Sequence, residues 1–119
     1  MSFRFRPYAL TTALLFTSSL SWAHARPKAM VPAAESTGPA PQKIVVTFTE
    51  AVEPKFSSLS LTSEAGVAIK TEHSQGDPGD AKTLTLPVPA LSAGGYLVHW
   101  VSVAPDGHRM QGEYKFSVK

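Results

Sequence analysis

Residues 43–119 alternate apolar and polar positions in short bursts. In "KIVVTFTE" (43–50), Ile44, Val46 and Phe48 alternate with Val45, Thr47 and Thr49, the period of a strand with one buried face. "FSSLSLTS" places Leu59 and Leu61 on one face, and "KTLTLPV" does the same for Leu84 and Leu86. "GGYLVHWVSV" groups Tyr96, Val98 and Trp100, and "EYKFSVK" groups Tyr114, Phe116 and Val118. A shorter run, "VAIK", follows Gly66. Turn signals separate the runs: "EAG", "SQGDPGD", "SAGG" and "PDGH". Residues 24–42 differ. Pro27, Pro32, Pro39 and Pro41 each remove a backbone donor and fix φ at about −65°, which suits an extended or turn-rich arm. No stretch after residue 23 keeps a 3.6-residue apolar period long enough for a substantial helix. The pattern predicts an all-β Greek-key sandwich of about seven short strands.

The first 23 residues follow another rule. Arg4 and Arg6 precede "YALTTALLFTSSLSWA", a basic start, an apolar run and small residues, as in a secretory signal peptide. A membrane span needs about 20 mostly apolar residues, and this run is shorter and broken by Thr11, Thr12, Thr17, Ser18 and Ser19. The expectation is a cleaved leader over 1–23 and an exported domain over 24–119. Two cuts satisfy the small-residue rule, after Ala23 or after Ala25. The rule does not choose between them.

The 119 residues allow one domain and hardly more. With no cysteine, disulfides, thiolate metal sites, Cys nucleophiles and CxxC redox chemistry are excluded. Of 11 basic residues, Arg4 and Arg6 belong to the leader; the remaining nine balance nine acidic ones. A neutral domain without a Lys/Arg-rich stretch gives nucleic-acid binding little electrostatic support.

Four histidines carry the candidate chemistry: His24, His73, His99 and His108. His73 lies in a polar loop and reads as solvated. His99 is mid-strand, opposite the Tyr96, Val98, Trp100 face, either in solvent or bonded to another strand. His108 lies in "APDGHRMQG" (104–112), two residues after Asp106 with Gly107 between. In extended backbone, positions i and i+2 project to one side, so carboxylate and imidazole can converge. The plainer alternative is an Asx-turn at "PDG" with His108 exposed beside it. A cut after Ala23 changes the balance. An N-terminal His24 offers its amine and Nδ1 as one chelate; His108 adds an imidazole and Asp106 an oxygen. Such a mixed nitrogen–oxygen set in a tetragonal plane favours Cu(II), whereas zinc prefers a tetrahedron. Glu50, ending the first strand, is either a further oxygen donor or a solvated carboxylate.

These features together resemble the CopC family of periplasmic copper-binding proteins. The matching residues are the His24-Ala25 start after the leader, the Pro-Ala arm, "TFTEAVE", the block "AGGYLVHWVSVAPDGH" and the closing "GEYKFSV". Trp100, Ser102, Asp106, Gly107, His108 and Gly112 fall in the family's ending pattern, with "VAP" replacing its usual link to the Asp. The resemblance implies an immunoglobulin-like β-sandwich that binds Cu(II) through His24, Asp106 and His108, with Glu50 contributing as in some members. It implies a monomer acting as carrier or buffer in copper homeostasis and resistance, working with an inner-membrane CopD-like transport protein. Some relatives hold Cu(I) at a Met-rich site. Here only Met30 and Met110 follow the leader, so no separate Cu(I) site is expected; the carrier role implies no catalytic residue. Two rival functions fit parts of the pattern. A small oxidative enzyme with a histidine brace would share His24 and His108, but an anionic Asp106 ligand disfavours reduction to Cu(I). A metal-free interaction sandwich would share the fold alone.

Overall fold

The computed structural model describes residues 2–4 and 24–119. The expected leader, residues 2–4 apart, lies outside the described residues. No helix among them is long and apolar enough to cross a membrane. Nine strands follow in order: β1 (Pro27–Val31), β2 (Thr37–Gly38), β3 (Lys43–Phe48), β4 (Ser58–Ser63), β5 (Ala68–Ile69), β6 (Gln75–Asp77), β7 (Asp80–Pro87), β8 (Gly94–Val103) and β9 (Arg109–Val118). They form two sheets, β1-β3-β7-β6 and β2-β9-β8-β4-β5. All pairings are antiparallel except β2 with β9.

The period of two becomes the interior of this β-sandwich. Ile44, Val46 and Phe48 from β3 and Leu84 and Leu86 from β7 are buried from one sheet. Leu59 and Leu61, Tyr96 and Val98, and Tyr114, Phe116 and Val118 are buried from the other. Sheet-on-sheet packing of this kind closes only when each strand turns alternate residues inward, so the pattern fixes the face each strand buries. Removing one of the large core rings, Phe48 for instance, costs about 3–5 kcal/mol by lost transfer energy and the cavity left behind. The Tyr114 hydroxyl is buried without a hydrogen-bond partner, and desolvation pushes its pKa up.

Nine strands stand against the expected seven or so, because three lie outside the six runs read from the sequence. The proline arm joins both sheets: β1 pairs with β3, Met30 opposite Val46, and β2 runs beside Ser117 and Val118. The turn signal "SQGDPGD" also contains a strand. Asp77 Oδ1 accepts the Gly79 N–H at 2.8 Å, and the Asx-turn folds β6 back on β7.

The longest hairpin matters most for function. β8 and β9 pair over ten residues each, from Gly94 opposite Val118 to Val103 opposite Arg109. Trp100 faces Gly112 across it. A Cβ on Gly112 would lie 2.7 Å from the indole, so the ring occupies the space a side chain would need. Trp100 also meets Phe48 edge-on at 5.9 Å between ring centres, linking the hairpin to the opposite sheet just below the residues described next.

Candidate metal centre

Three segments converge at one end of the sandwich: the start of the arm, the exit from β3 and the tip of the β8–β9 hairpin. The tip is a tight loop. The Ala104 N–H donates to His108 O at 2.9 Å, extending the ladder by one rung, and the Gly107 N–H donates to Ala104 O at 2.8 Å. Closing it requires φ = +89° at Gly107, a left-handed conformation that glycine adopts without penalty.

Within this loop Asp106 closes the anticipated Asx-turn and also meets the His108 imidazole. Its Oδ1 accepts the His108 N–H at 3.0 Å, the Asx-turn geometry. Its Oδ2 lies 2.9 Å from His108 Nδ1. These two hydrogen bonds, the side-chain one first, hold the Asp106 carboxyl below its usual pKa. An ionised carboxylate only accepts, so Nδ1 is the donor in this contact, and in the neutral ring Nε2 keeps the lone pair. A histidine fixed in this way by a carboxylate is a common arrangement behind metal-binding imidazoles.

The arm brings the second imidazole. Thr49 N–H donates to Arg26 O at 2.8 Å, Arg26 N–H donates to Thr49 Oγ1 at 3.1 Å, and the Thr49 hydroxyl donates to His24 O at 3.2 Å. Ala25 is buried at 2% exposure, inside the main core cluster. Its carbonyl accepts the hydroxyl of Ser102, itself fully buried, at 2.6 Å. Residue 24 therefore leaves a docked strand start, and its ring stands 5.6 Å from that of His108, edge to face. Imidazole–metal bonds run to about 2.0–2.1 Å, so two rings at this separation suit one shared ion.

Of the four sequence-predicted residues, His24, Asp106 and His108 come together. Glu50 follows Thr49 at the same end, half-buried; among the described residues no hydrogen bond or ion pair joins it to the other three. No group of three His, Asp or Glu among the described residues is gathered tightly enough to cage an ion as it stands. The donor chemistry nonetheless fits copper: imidazole and carboxylate, no thiolate, on an exposed loop. His73 is exposed in its loop, as expected. His99 is bonded across strands, with Nδ1 3.2 Å from Glu113 Oε2 and Nε2 3.0 Å from Thr62 Oγ1. The sequence reading missed Ser102 and Thr49 as anchors of the arm. A signal for Ser102 existed: a lone hydroxyl on the inward side of an otherwise apolar alternation.

A family model described as the CopC domain matches residues 28–119. The chain belongs to the CopC family. His24 precedes the matched range, so its part in the site rests on the geometry above. The chain is 39% identical over 120 residues to Protein YobA of Escherichia coli (strain K12), covering 99% of this chain and 95% of that relative. It is 36% identical to Copper resistance protein C of Pseudomonas syringae pv. tomato, with 92% of each covered. Among solved structures, CopC from Methylosinus trichosporium OB3b superposes with a TM-score of 0.76 at 30% identity, covering 81% of this chain and 94% of that one. PcoC, a methionine-rich copper resistance protein from Escherichia coli, gives 0.74 at 34% identity, covering 82% and 100%. Beyond residue 23 this chain has two methionines, Met30 on β1 and Met110 on β9, both half-buried.

Proposed function

We propose that this CopC-family protein is exported, is cut after Ala23, and holds Cu(II) in the periplasm as a carrier or buffer for copper homeostasis and resistance. The observation that carries the reading is the juxtaposition of His24 with His108, whose Nε2 is left free by Asp106. After the cut, the His24 amine and Nδ1 chelate the ion and His108 Nε2 supplies a third nitrogen. Asp106 supplies an oxygen or, while it keeps its bond to His108, fixes the ring from behind. Glu50, next to Thr49 in the chain, is the candidate for a further oxygen. Copper is the cargo here, and the protein's part is to position donors rather than to turn over a substrate. The name of the Pseudomonas syringae relative, Copper resistance protein C, supports a role in copper resistance.

The burial of Ala25 supports the choice of cut. A cut after Ala25 would delete a core residue and strip the buried Ser102 hydroxyl of its acceptor, a loss of about 1–3 kcal/mol for an unpaired buried polar group. A cut after Ala23 keeps both and creates the chelate. A hand-over partner of the CopD type and a monomeric state complete the proposal.

The test is the mass of the exported protein together with its copper EPR spectrum. The expected result is a chain starting at His24 that binds one Cu(II) and loses that binding in His24→Ala. A chain starting at Arg26, or unchanged affinity in His24→Ala, overturns the proposal.

A further inference from the structure

The geometry points to Ser102 as a positioning residue of the metal centre, acting through the backbone of Ala25, with Thr49 as its counterpart on the opposite sheet. The inference rests on the copper reading of His24 given above. Ser102 sits on β8, six residues before His108 on the same strand-and-loop unit. It is fully buried, and its hydroxyl is spent on a residue 77 positions away, the Ala25 carbonyl at 2.6 Å. Thr49 follows β3 and grips the residues on either side of Ala25, accepting from the Arg26 N–H and donating to His24 O. The arm is thus held from both sheets within three consecutive residues.

Such a clamp does more than a packing contact does. A buried apolar methyl tolerates sliding by a fraction of an ångström; a short, directional hydrogen bond inside the core does not. It sets both the register and the rotation of the chain at residue 25, and so the direction in which residue 24 leaves the sandwich. Because the same β8 segment runs on to His108, the anchor of one imidazole and the carrier of the other are one rigid piece. A chelating terminal residue on an unanchored arm would have to be ordered at the moment of binding, which costs affinity. Here the fold itself orders the arm.

The experiment uses the mature protein starting at His24, with Ser102→Ala, Thr49→Val and the conservative Thr49→Ser, each also made in a His24→Ala background. Cu(II) affinity is measured by chelator competition, and the coordination by EPR. Ser102→Ala is expected to weaken binding by roughly tenfold or more, within the range seen when groups supporting metal ligands are lost, and to replace a single EPR species by a mixture. Thr49→Val is expected to move both readouts in the same direction, Thr49→Ser to keep them as in the parent, and neither effect to appear without His24. Parent-like affinity and spectrum in Ser102→Ala and Thr49→Val, with only the melting temperature lowered, overturn the inference and leave the copper reading standing. If Ser102→Ala does not fold, Thr49→Val decides alone, since Thr49 is exposed. If the parent itself shows no His24-dependent copper signal, the copper reading fails and takes the clamp with it.

Discussion

The β8–β9 hairpin carries the same chemical pair twice, and the two settings differ. In the middle of its outer face His99 meets Glu113, Nδ1 to Oε2 at 3.2 Å. At its tip His108 meets Asp106, Nδ1 to Oδ2 at 2.9 Å. The imidazoles differ modestly in exposure, at 38% and 57% of the side chain. What separates them is the second ring nitrogen. His99 Nε2 is taken by Thr62 on the neighbouring strand, so the ring is a cross-strand tie. No hydrogen bond occupies His108 Nε2 among the described residues, and another imidazole faces that ring. On the copper reading proposed above, the free outer nitrogen and the facing imidazole are what set His108 apart from His99.

The largest expected effect separates the two rings directly. His108→Ala should weaken Cu(II) binding by more than the roughly 10–100-fold typical of losing a supporting group, whereas His99→Ala should leave affinity unchanged and lower only stability. Competition titrations of both variants check this, and equal losses would break the comparison. Next come the carboxylates. Asp106→Asn should cost roughly 10–100-fold in affinity, the range for a group that orients or joins a metal ligand, and Glu113→Gln nothing measurable in the same titration. Smaller still is Thr62→Val, which frees His99 Nε2. No second equivalent of copper is expected by calorimetry, because among the described residues no further imidazole faces His99; a second equivalent would show that a free nitrogen suffices by itself.

The smallest effect concerns acid. Asp106 is held below the usual carboxylate value by its bonds to His108, and Asp80 by the Lys82 N–H and then the Thr83 hydroxyl, with no imidazole involved. A depressed folded pKa stabilises the fold fully above the unfolded value of about 3.9 and loses that stabilisation as pH falls through the folded one. Both groups are solvent-exposed, so each contribution is slight. Urea melts of the metal-free protein should therefore show slightly less acid loss in Asp80→Asn than in the parent, and the same in Asp106→Asn. Copper binding itself should weaken earlier on acidification, since an α-amine of ordinary pKa about 7.7–8.0 has to give up its proton to the metal. Affinity measured across neutral pH that stays flat would show that the amine takes no part.

Much of the fold was legible because strand alternation is a local property. Residues 44, 46 and 48, or 114, 116 and 118, declare their buried face without knowing what they will pack against. The strands that escaped notice, β1, β2 and β6, are short and rich in proline, glycine or polar residues; they exist because a long neighbour offers them a ladder. At the site, Asp106, Gly107 and His108 were legible for the same reason, being three consecutive residues at a turn.

The sequence alone thus determined the all-β class, the inward faces, the hairpin tip with its Asp-Gly-His turn, and two candidate cuts around His24. Only the tertiary structure decided that His99 is tied off and His108 is not, that Ala25 belongs to the core, and that Ser102 and Thr49 hold the arm so that His24 faces His108. The division has a physical cause. Periodicity and turn chemistry act between near neighbours in the chain, whereas the docking of the arm depends on hydrogen bonds to residues 23 to 77 positions away, which no local pattern encodes.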